Sequence, residues 1–182
     1  KLREETRKEL RAFLGGLEIT AVYVTHDRIE ALALSDSIGV MREGNILEIG
    51  PPKKIYFDAD HQFVADFIGR ANLITSSVVS QEPGFTVVES GLGRIKCHKR
   101  DFPVGGEAIL CIRPEFIAAD DKQVNILEGI LETMVFVGDS YEGELRVNNE
   151  LLMVKLPPET RLLEGAKVKF SVEPEHCLLV SV

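Results

Sequence analysis

The stretch ITSSVVSQEPGFTVVESGLGRIKCH, residues 74–98, decides the fold class of the larger part of this chain. It holds three short runs rich in β-branched residues, separated by turn signals at Pro83-Gly84 and at Gly91 to Gly93. Short runs of this kind, bounded by glycine and proline, are typical of strands joined by tight turns. We therefore predict three consecutive strands between residues 74 and 98.

The same pattern of short strand candidates separated by turn residues continues to the end of the sequence. No internal repeat or low-complexity tract is evident. Many short strands at this spacing favour a small barrel of the oligonucleotide-binding (OB) size class, so we predict an OB-like β-barrel over residues 71–182. The further strand candidates are EAILCIR (107–113), VNILEGILETMVFVG (124–138), SYEGELRVN (140–148), LLMVKL (151–156), AKVKFSVE (166–173) and CLLVSV (177–182).

Residues 1–70 have a different pattern, which predicts an α/β piece. Residues 1–14 form an amphipathic helix candidate that ends at Gly15-Gly16, and a second helix candidate runs from Arg28 to Leu34. Between them, Ile19 to Thr25 is a continuous apolar run, which predicts a strand buried on both faces of a parallel sheet.

The α/β piece ends in a hairpin and a helical region. Ser37 to Arg42 predicts a strand, which pairs with Ile46 to Ile49 across a turn containing Gly44. Residues 53–68 then predict two short helices broken near Asp58 to Asp60. A change from helical to strand patterning places the domain boundary near residue 70.

Composition excludes some function classes. The chain has 182 residues, with 29 acidic and 21 basic side chains and a formal charge of −8. DNA, RNA and anionic lipid need clustered Lys and Arg, so we expect no nucleic-acid partner. The longest apolar stretches, such as Ile19 to Val24, are far shorter than the ~20 residues of a spanning helix. We expect a soluble, unexported protein without direct membrane insertion.

Three cysteines, Cys97, Cys111 and Cys177, are widely spaced and form no CxxC pair, which argues against a disulfide framework. Cys97-His98 and His176-Cys177 contain zinc-ligand residue types. Neighbours on a strand point to opposite faces, however, so the members of each pair do not converge on one ion. We predict core cysteines and no metal site.

His26 is the candidate functional residue. It follows the apolar run Ile19 to Thr25 and precedes a helix, and the carboxyl ends of strands in open α/β sheets are where ligands bind. For an isolated histidine at this place, a helix cap or a buried polar residue remains the alternative.

The surrounding residues add a family resemblance. The segment AVYVTHDRIEALALSDSIGVMREGNILEIGPPKKIY, residues 21–56, resembles the switch-histidine region of ATP-binding-cassette (ABC) importer ATPases. Residues 61–74, HQFVADFIGRANLI, resemble the junction of sugar, polyamine and ferric-iron importers with their regulatory TOBE barrel. The motifs IRPE (112–115) and EPEHC (173–177) resemble that barrel. The resemblance implies the C-terminal fragment of a P-loop (RecA-like) nucleotide-binding domain at 1–70, followed by the TOBE barrel at 71–182.

For the site, the resemblance implies that His26 contacts the γ-phosphate of ATP in the intact subunit, as its one catalytic and cofactor-binding residue here. Thr25 and Asp27 are expected to position the turn. ATP and Mg are the implied cofactors of the intact subunit. The implied partners are membrane permease subunits and a second ATPase subunit in a homodimer, with the protein cytoplasmic and peripheral on the inner membrane face through the permease.

The sequence departs from the family pattern at one decisive place. It contains no GxxxxGK[ST] phosphate loop and no acidic strand for magnesium. We expect these parts, and the signature loop, upstream of residue 1. The chain by itself is therefore expected to bind no ATP tightly and to be inactive as an ATPase.

The barrel offers other functions. It is expected to regulate the ATPase or steady its dimer, and it is a possible site for a small effector. Gly138-Asp139-Ser140-Tyr141 is a ligand-rim candidate or a plain hairpin turn, and Lys96 with His98, Lys99 and Arg100 is a weak anion-site candidate. The alternative to the importer hypothesis is a free-standing small-effector- or oligonucleotide-binding OB-like barrel.

Overall fold

A computed structural model describes residues 2–17, 19–119 and 124–182. Within these residues the secondary structure follows the predicted order, apart from residues 19–25. The helices are α1 (Leu2–Gly15), α2 (Arg28–Leu34), α3 (Pro52–Phe57) and α4 (Gln62–Ile68), with 3₁₀ helices at Pro114–Phe116 and Pro174–His176. The strands are β1 (Ile38–Arg42), β2 (Asn45–Gly50), β3 (Asn72–Glu82), β4 (Phe85–Ser90), β5 (Gly93–His98), β6 (Glu107–Ile112), β7 (Ile126–Phe136), β8 (Tyr141–Val147), β9 (Glu150–Leu156), β10 (Lys167–Ser171) and β11 (Cys177–Val180).

The predicted β half forms two antiparallel sheets around one core. Their strand orders are β11-β6-β3-β4-β5 and β10-β7-β8-β9. Alternate residues of β7, β8 and β9 point inward and are buried, as period-2 patterning requires. Phe170 is fully buried among leucines and valines from both sheets. This arrangement is an OB-like fold.

The two sheets repeat one topology, which the sequence analysis missed. The order β6-β3-β4-β5 recurs as β10-β7-β8-β9, and a 3₁₀ helix follows both β6 and β10. The register shifts at the same place in each copy, between Val78 and Ser80 and between Leu131 and Thr133. The sequence shows no evident repeat because the two copies share topology but few residues. One similarity remains in the sequence, because each copy has a glycine nine residues before a Pro-Glu pair. These are Gly105 with Pro114-Glu115 and Gly165 with Pro174-Glu175.

Two asparagine side chains join the copies reciprocally. The Asn72 amide donates to the Met153 carbonyl of edge strand β9 at 2.9 Å and accepts from the Met153 N–H at 2.7 Å. The Asn125 amide makes the same pair of bonds to Lys96 on edge strand β5, both at 2.8 Å. A side-chain amide thus replaces a neighbouring strand at each edge, which satisfies main-chain groups there.

A second core attaches residues 38–71 to the outside of the barrel. Ile55 of α3 and Val64 of α4 are fully buried against β1 and the outer face of β6 and β11. On β6 that outer face carries Ile109 and Cys111, both buried. The position equivalent to Ile109 on β10 is Lys169, which pairs with exposed Glu128. The apolar pattern therefore occurs in the copy that the helices cover.

Arg113 connects the helices to the barrel. The residue is 3% exposed, and its guanidinium donates to the Tyr56 carbonyl from Nε at 3.1 Å and from Nη2 at 2.7 Å. Its Nη1 donates to the Arg70 carbonyl at 3.4 Å, and its Cζ lies 3.8 Å from the centre of the Tyr56 ring. A Cβ on Gly69 would lie 2.8 Å from that Nη1, so only glycine leaves room for the guanidinium.

A charged network fixes the link between α3 and α4. Arg100 pairs with both Asp58 and Asp60, and Lys54 pairs with Asp60 and Glu48 at 3.0 Å each. Partial burial raises the pKa of Asp60, but hydrogen bonds from Lys54 and Arg100 outweigh it and hold the pKa below its usual value. The stabilisation from this carboxylate is therefore present at neutral pH and is lost as the pH falls through its lowered pKa.

The predicted buried strand from Ile19 to Thr25 is wrong for the described chain. These residues form no strand, and Val22 and Val24 are each 90% exposed. A strand is stable only when neighbours take up its main-chain N–H and C=O groups. Among the described residues up to 71, the one ladder of strands is β1 with β2. The apolar run consequently has no sheet to join, and a P-loop sheet remains a proposal.

The cysteines lie in the cores. Cys97, Cys111 and Cys177 are all buried free thiols, whereas His98, beside Cys97, is exposed on the other face of β5. Burial raises the pKa of Cys97 to about 12 and, as the main cause, raises that of Cys111 to about 11. Burial also raises the pKa of Cys177 well above its usual value. The described residues contain no cluster that could hold a metal ion.

Arg113→Met should lower the free energy of unfolding by about 2–4 kcal/mol, because it removes the hydrogen bonds that the buried side chain donates to the carbonyls of Tyr56 and Arg70. Urea denaturation followed by circular dichroism measures this. The matched control is Arg94→Met, because Arg94 is an exposed partner of Glu89 and should change stability by only about 0.5 kcal/mol. Equal effects of the two substitutions would contradict the assigned role of Arg113.

The three thiols should react with an aromatic disulfide such as dithiobis(nitrobenzoate) only after unfolding, since buried thiols with raised pKa values form little thiolate. Absorbance should report no fast-reacting thiol in native buffer at pH 8 and all of them in guanidinium. A thiol that titrates within seconds in the native protein would show that at least one cysteine is accessible.

Candidate functional site

The His26 loop is held by hydrogen bonds on both sides of the histidine. Asp27 caps α2, because its carboxylate accepts from the N–H groups of Ile29 at 2.8 Å and Glu30 at 3.2 Å. The Thr25 hydroxyl accepts from the Asp27 N–H at 3.0 Å and donates to Glu30 at 2.8 Å. Thr25 and Asp27 therefore position the turn, as the sequence analysis expected.

Glu30 is the centre of this small network. Besides Thr25, the Tyr23 hydroxyl donates to the same Glu30 oxygen at 2.9 Å. This hydrogen bond raises the pKa of Tyr23, so the phenol stays protonated at neutral pH. The acidic groups of the loop thus have partners within it, and His26 lies exposed between two residues whose backbone is fixed. The histidine is neither a helix cap nor a buried polar residue.

The polar turn at Gly138-Asp139-Ser140 satisfies its own hydrogen bonds. The Val137 N–H donates to the Ser140 carbonyl at 2.9 Å, and the Ser140 hydroxyl donates to the Asp139 carboxylate at 2.7 Å. The latter bond lowers the pKa of Asp139. The segment is the connection between β7 and β8, so the hairpin-turn interpretation fits it better than a ligand rim.

The basic residues near the end of β5 do not converge on an anion site. Lys96 pairs with Glu82 at 3.3 Å, and Arg100 pairs with Asp58 and Asp60. His98 and Lys99 are exposed. The two cations that have partners are neutralised by different elements, which removes the geometric basis for the weak anion-site candidate.

A pocket of about 250 Å³ lies between α3 and the two 3₁₀ helices, and sequence reasoning did not find it. It is a surface pocket where the helices before residue 71 meet the barrel. The sequence signal nearest to it was the pair of Pro-Glu motifs at residues 114–115 and 174–175, which begin the two 3₁₀ helices that supply Phe116 and His176. Its lining residues are Tyr56, Phe57, Cys111, Arg113, Phe116, Glu175, His176 and Leu178.

Tyr56 is the polar aromatic residue of this pocket. Its hydroxyl donates to Glu115 at 2.5 Å, while its ring faces the guanidinium of Arg113. Burial, followed by the hydrogen bond to Glu115, raises the pKa of Tyr56 to about 12. The phenol is therefore neutral at physiological pH and keeps Glu115 beside the pocket.

No helix in the described part of the chain is long and apolar enough to cross a membrane.

Comparison with known proteins gives a family. Residues 110–180 match the TOBE domain. A spermidine/putrescine import ATP-binding protein of Borrelia garinii subsp. bavariensis is 38% identical over 177 residues, which cover 96% of this chain and 49% of the relative. The protein of the same description from Thermotoga maritima is 33% identical, covering 100% and 54%. An Fe(3+) ions import ATP-binding protein of Brucella abortus is 36% identical, covering 86% and 44%.

A solved structure supports the fold of the barrel. The cytoplasmic molybdate-binding protein ModG superposes with a TM-score of 0.54 at 15% identity, covering 62% of this chain and 96% of ModG. That likeness concerns the fold alone. The chain spans about half the length of the curated relatives it matches. These comparisons place the chain in the family of ABC-importer ATP-binding subunits, as a portion that carries their TOBE domain.

Proposed function

We propose that this chain is the part of an ABC-importer ATP-binding subunit that carries the switch histidine and the regulatory barrel. In the intact subunit, His26 contacts the γ-phosphate of ATP. The observation that carries the proposal is the exposed His26 on a turn whose backbone is fixed by Thr25 and Asp27. The relatives, all named as import ATP-binding proteins, support the same function.

The imidazole of His26 would supply the chemistry of this contact. An imidazole N–H donates a hydrogen bond to a phosphate oxygen, and such a bond becomes charge-assisted as negative charge develops on the transferred group. Asp27 is bonded to the N-terminus of α2, and Glu30 accepts from Thr25 and Tyr23. These two carboxylates therefore hold the turn, and His26 is the side chain left to meet the nucleotide.

The remaining parts of the nucleotide site lie outside this chain in the proposal. A phosphate loop supplies aligned N–H groups and a lysine, and acidic residues hold Mg. The sequence has no matching loop. We propose that the same absent part of the subunit covers the exposed apolar run around Val22 and Val24, since so large an apolar exposure favours burial against a partner.

The barrel and the partners complete the proposal. The barrel regulates the ATPase or steadies a homodimer of ATPase subunits, and the subunit binds a pair of membrane permease subunits. It is then cytoplasmic and peripheral on the inner face of the membrane. Selection of the transported solute resides in the permease and an external binding protein rather than in residues of this chain.

The isolated chain should show no ATP turnover above the buffer rate, because one histidine does not replace the phosphate loop and the metal site. Phosphate release in the presence of ATP and Mg is the measurement. Turnover that follows protein concentration and survives a second purification step would overturn the division of the site that we propose.

In the full-length subunit, His26→Ala should lower the rate of ATP hydrolysis about 10²- to 10³-fold, the usual effect of removing one donor to a transition-state oxygen. The matched control is His98→Ala, which removes another exposed histidine, on the barrel. Both variants should unfold at the wild-type temperature. Hydrolysis by His26→Ala at the rate of His98→Ala would remove the role assigned to His26.

A further inference from the structure

The pocket between α3 and the barrel has walls made largely of aromatic rings. Phe116 and His176 stack with their centres 3.8 Å apart and their planes within 5° of parallel. Phe57 lies 6.1 Å from Phe116 and 5.0 Å from Tyr56, measured between ring centres. Phe57 is 49% exposed although it lies beside this pocket. The rings therefore offer a concave apolar surface that the chain itself leaves unfilled.

The charged side chains around the pocket differ in how far they are exposed to solvent. Arg113 is the lining cation with a fixed charge, but it is 3% exposed and directs its donors at the carbonyls of Tyr56 and Arg70. Glu175, in contrast, lines the pocket and is exposed. Glu115 lies at the adjoining edge, where it accepts from Tyr56. A ligand entering from solvent consequently meets carboxylates before it meets the guanidinium.

A comparison of the two copies of the duplicated topology shows that α3 is needed to form this pocket. Phe116 and His176 occupy equivalent positions at the ends of the two 3₁₀ helices, and Cys111 is equivalent to Ser171. On the side of the first copy, Tyr56 and Phe57 of α3 close the pocket. On the side of the second copy, Lys169 and Glu128 form an exposed ion pair on the outer face. The pocket thus depends on α3, and an occupant would contact α3 and both copies together.

We propose that this pocket binds a small organic cation, consisting of one ammonium group on an apolar body. The apolar body packs against Phe57, Phe116 and Leu178, and the ammonium group lies near Glu175 and the faces of the aromatic rings. Cations are attracted to aromatic faces as well as to carboxylates, and the net charge of −8 favours their approach. A bound cation ties α3 to the barrel, which makes the pocket an effector site beyond the proposed role in hydrolysis.

The test uses three probes that share a phenyl ring and differ in charge: benzylammonium, benzyl alcohol and benzoate. They are titrated into the 182-residue chain, and binding is followed through the amide signals of residues 54–58, 111–113 and 115–117 in nitrogen–proton correlation spectra. Benzylammonium should shift these signals saturably and bind about fivefold or more tightly than benzyl alcohol, as a cation–π contact with a nearby carboxylate requires. Benzoate should bind more weakly than both.

Two variants locate the site. Glu175→Gln removes the charge at constant shape, and Phe57→Leu removes an exposed ring at similar volume; each should weaken benzylammonium about three- to tenfold. The matched control Glu159→Gln changes an exposed carboxylate outside the pocket and should leave affinity unchanged. Benzoate binding as tightly as benzylammonium, or equal benzylammonium affinity in all three variants, would overturn the proposal. So would the absence of saturable shifts with benzylammonium.

Discussion

The buried guanidinium of Arg113 is the contact on which the joining of the two parts of this chain depends. A desolvated charge is costly unless hydrogen bonds replace its water. Here the carbonyls of Tyr56 and Arg70 do so, and the Tyr56 ring covers one face of the group. The absence of a Cβ on Gly69 leaves the space that this arrangement needs. One side chain from the barrel therefore fixes the end of α3 and the chain after α4.

The Arg113 contact is one of several that pack the residues before 71 against the barrel. Residues 38–71 share a hydrophobic core with β6 and β11, and Arg100 binds the carboxylates between α3 and α4. A motion of α3 is thereby coupled to the barrel through both apolar and charged contacts. Residues 19–26, by contrast, lie outside these cores, with an exposed apolar run and an exposed histidine. The structure thus combines a firmly attached region with a surface suited to further contacts.

The duplicated topology explains how so small a barrel is closed. Each copy supplies three strands of a meander and a fourth strand that returns beside the first, and the side chains of Asn72 and Asn125 complete the edges of the other copy. The copies then diverge on their outer faces according to what covers them. Ile109 is buried where helices pack, whereas Lys169 is exposed and paired with Glu128. The pocket arises from the same asymmetry, because α3 closes one side of the stacked 3₁₀ helices.

Sequence alone determined the elements whose signals are local. Turn residues and period-2 patterns located β3 to β11, because these features depend on neighbours within a few residues. The turn role of Thr25 and Asp27 was expected from the family resemblance of the segment around His26, and their hydrogen bonds are likewise local. Only the tertiary structure decided that Ile19 to Thr25 is exposed, since a strand requires partners that local sequence does not name. It also decided the duplication, the burial of Arg113 and the pocket. Each of these depends on residues far apart in the chain, such as Tyr56 with Arg113 or Phe116 with His176, whose contact is set by packing rather than by spacing.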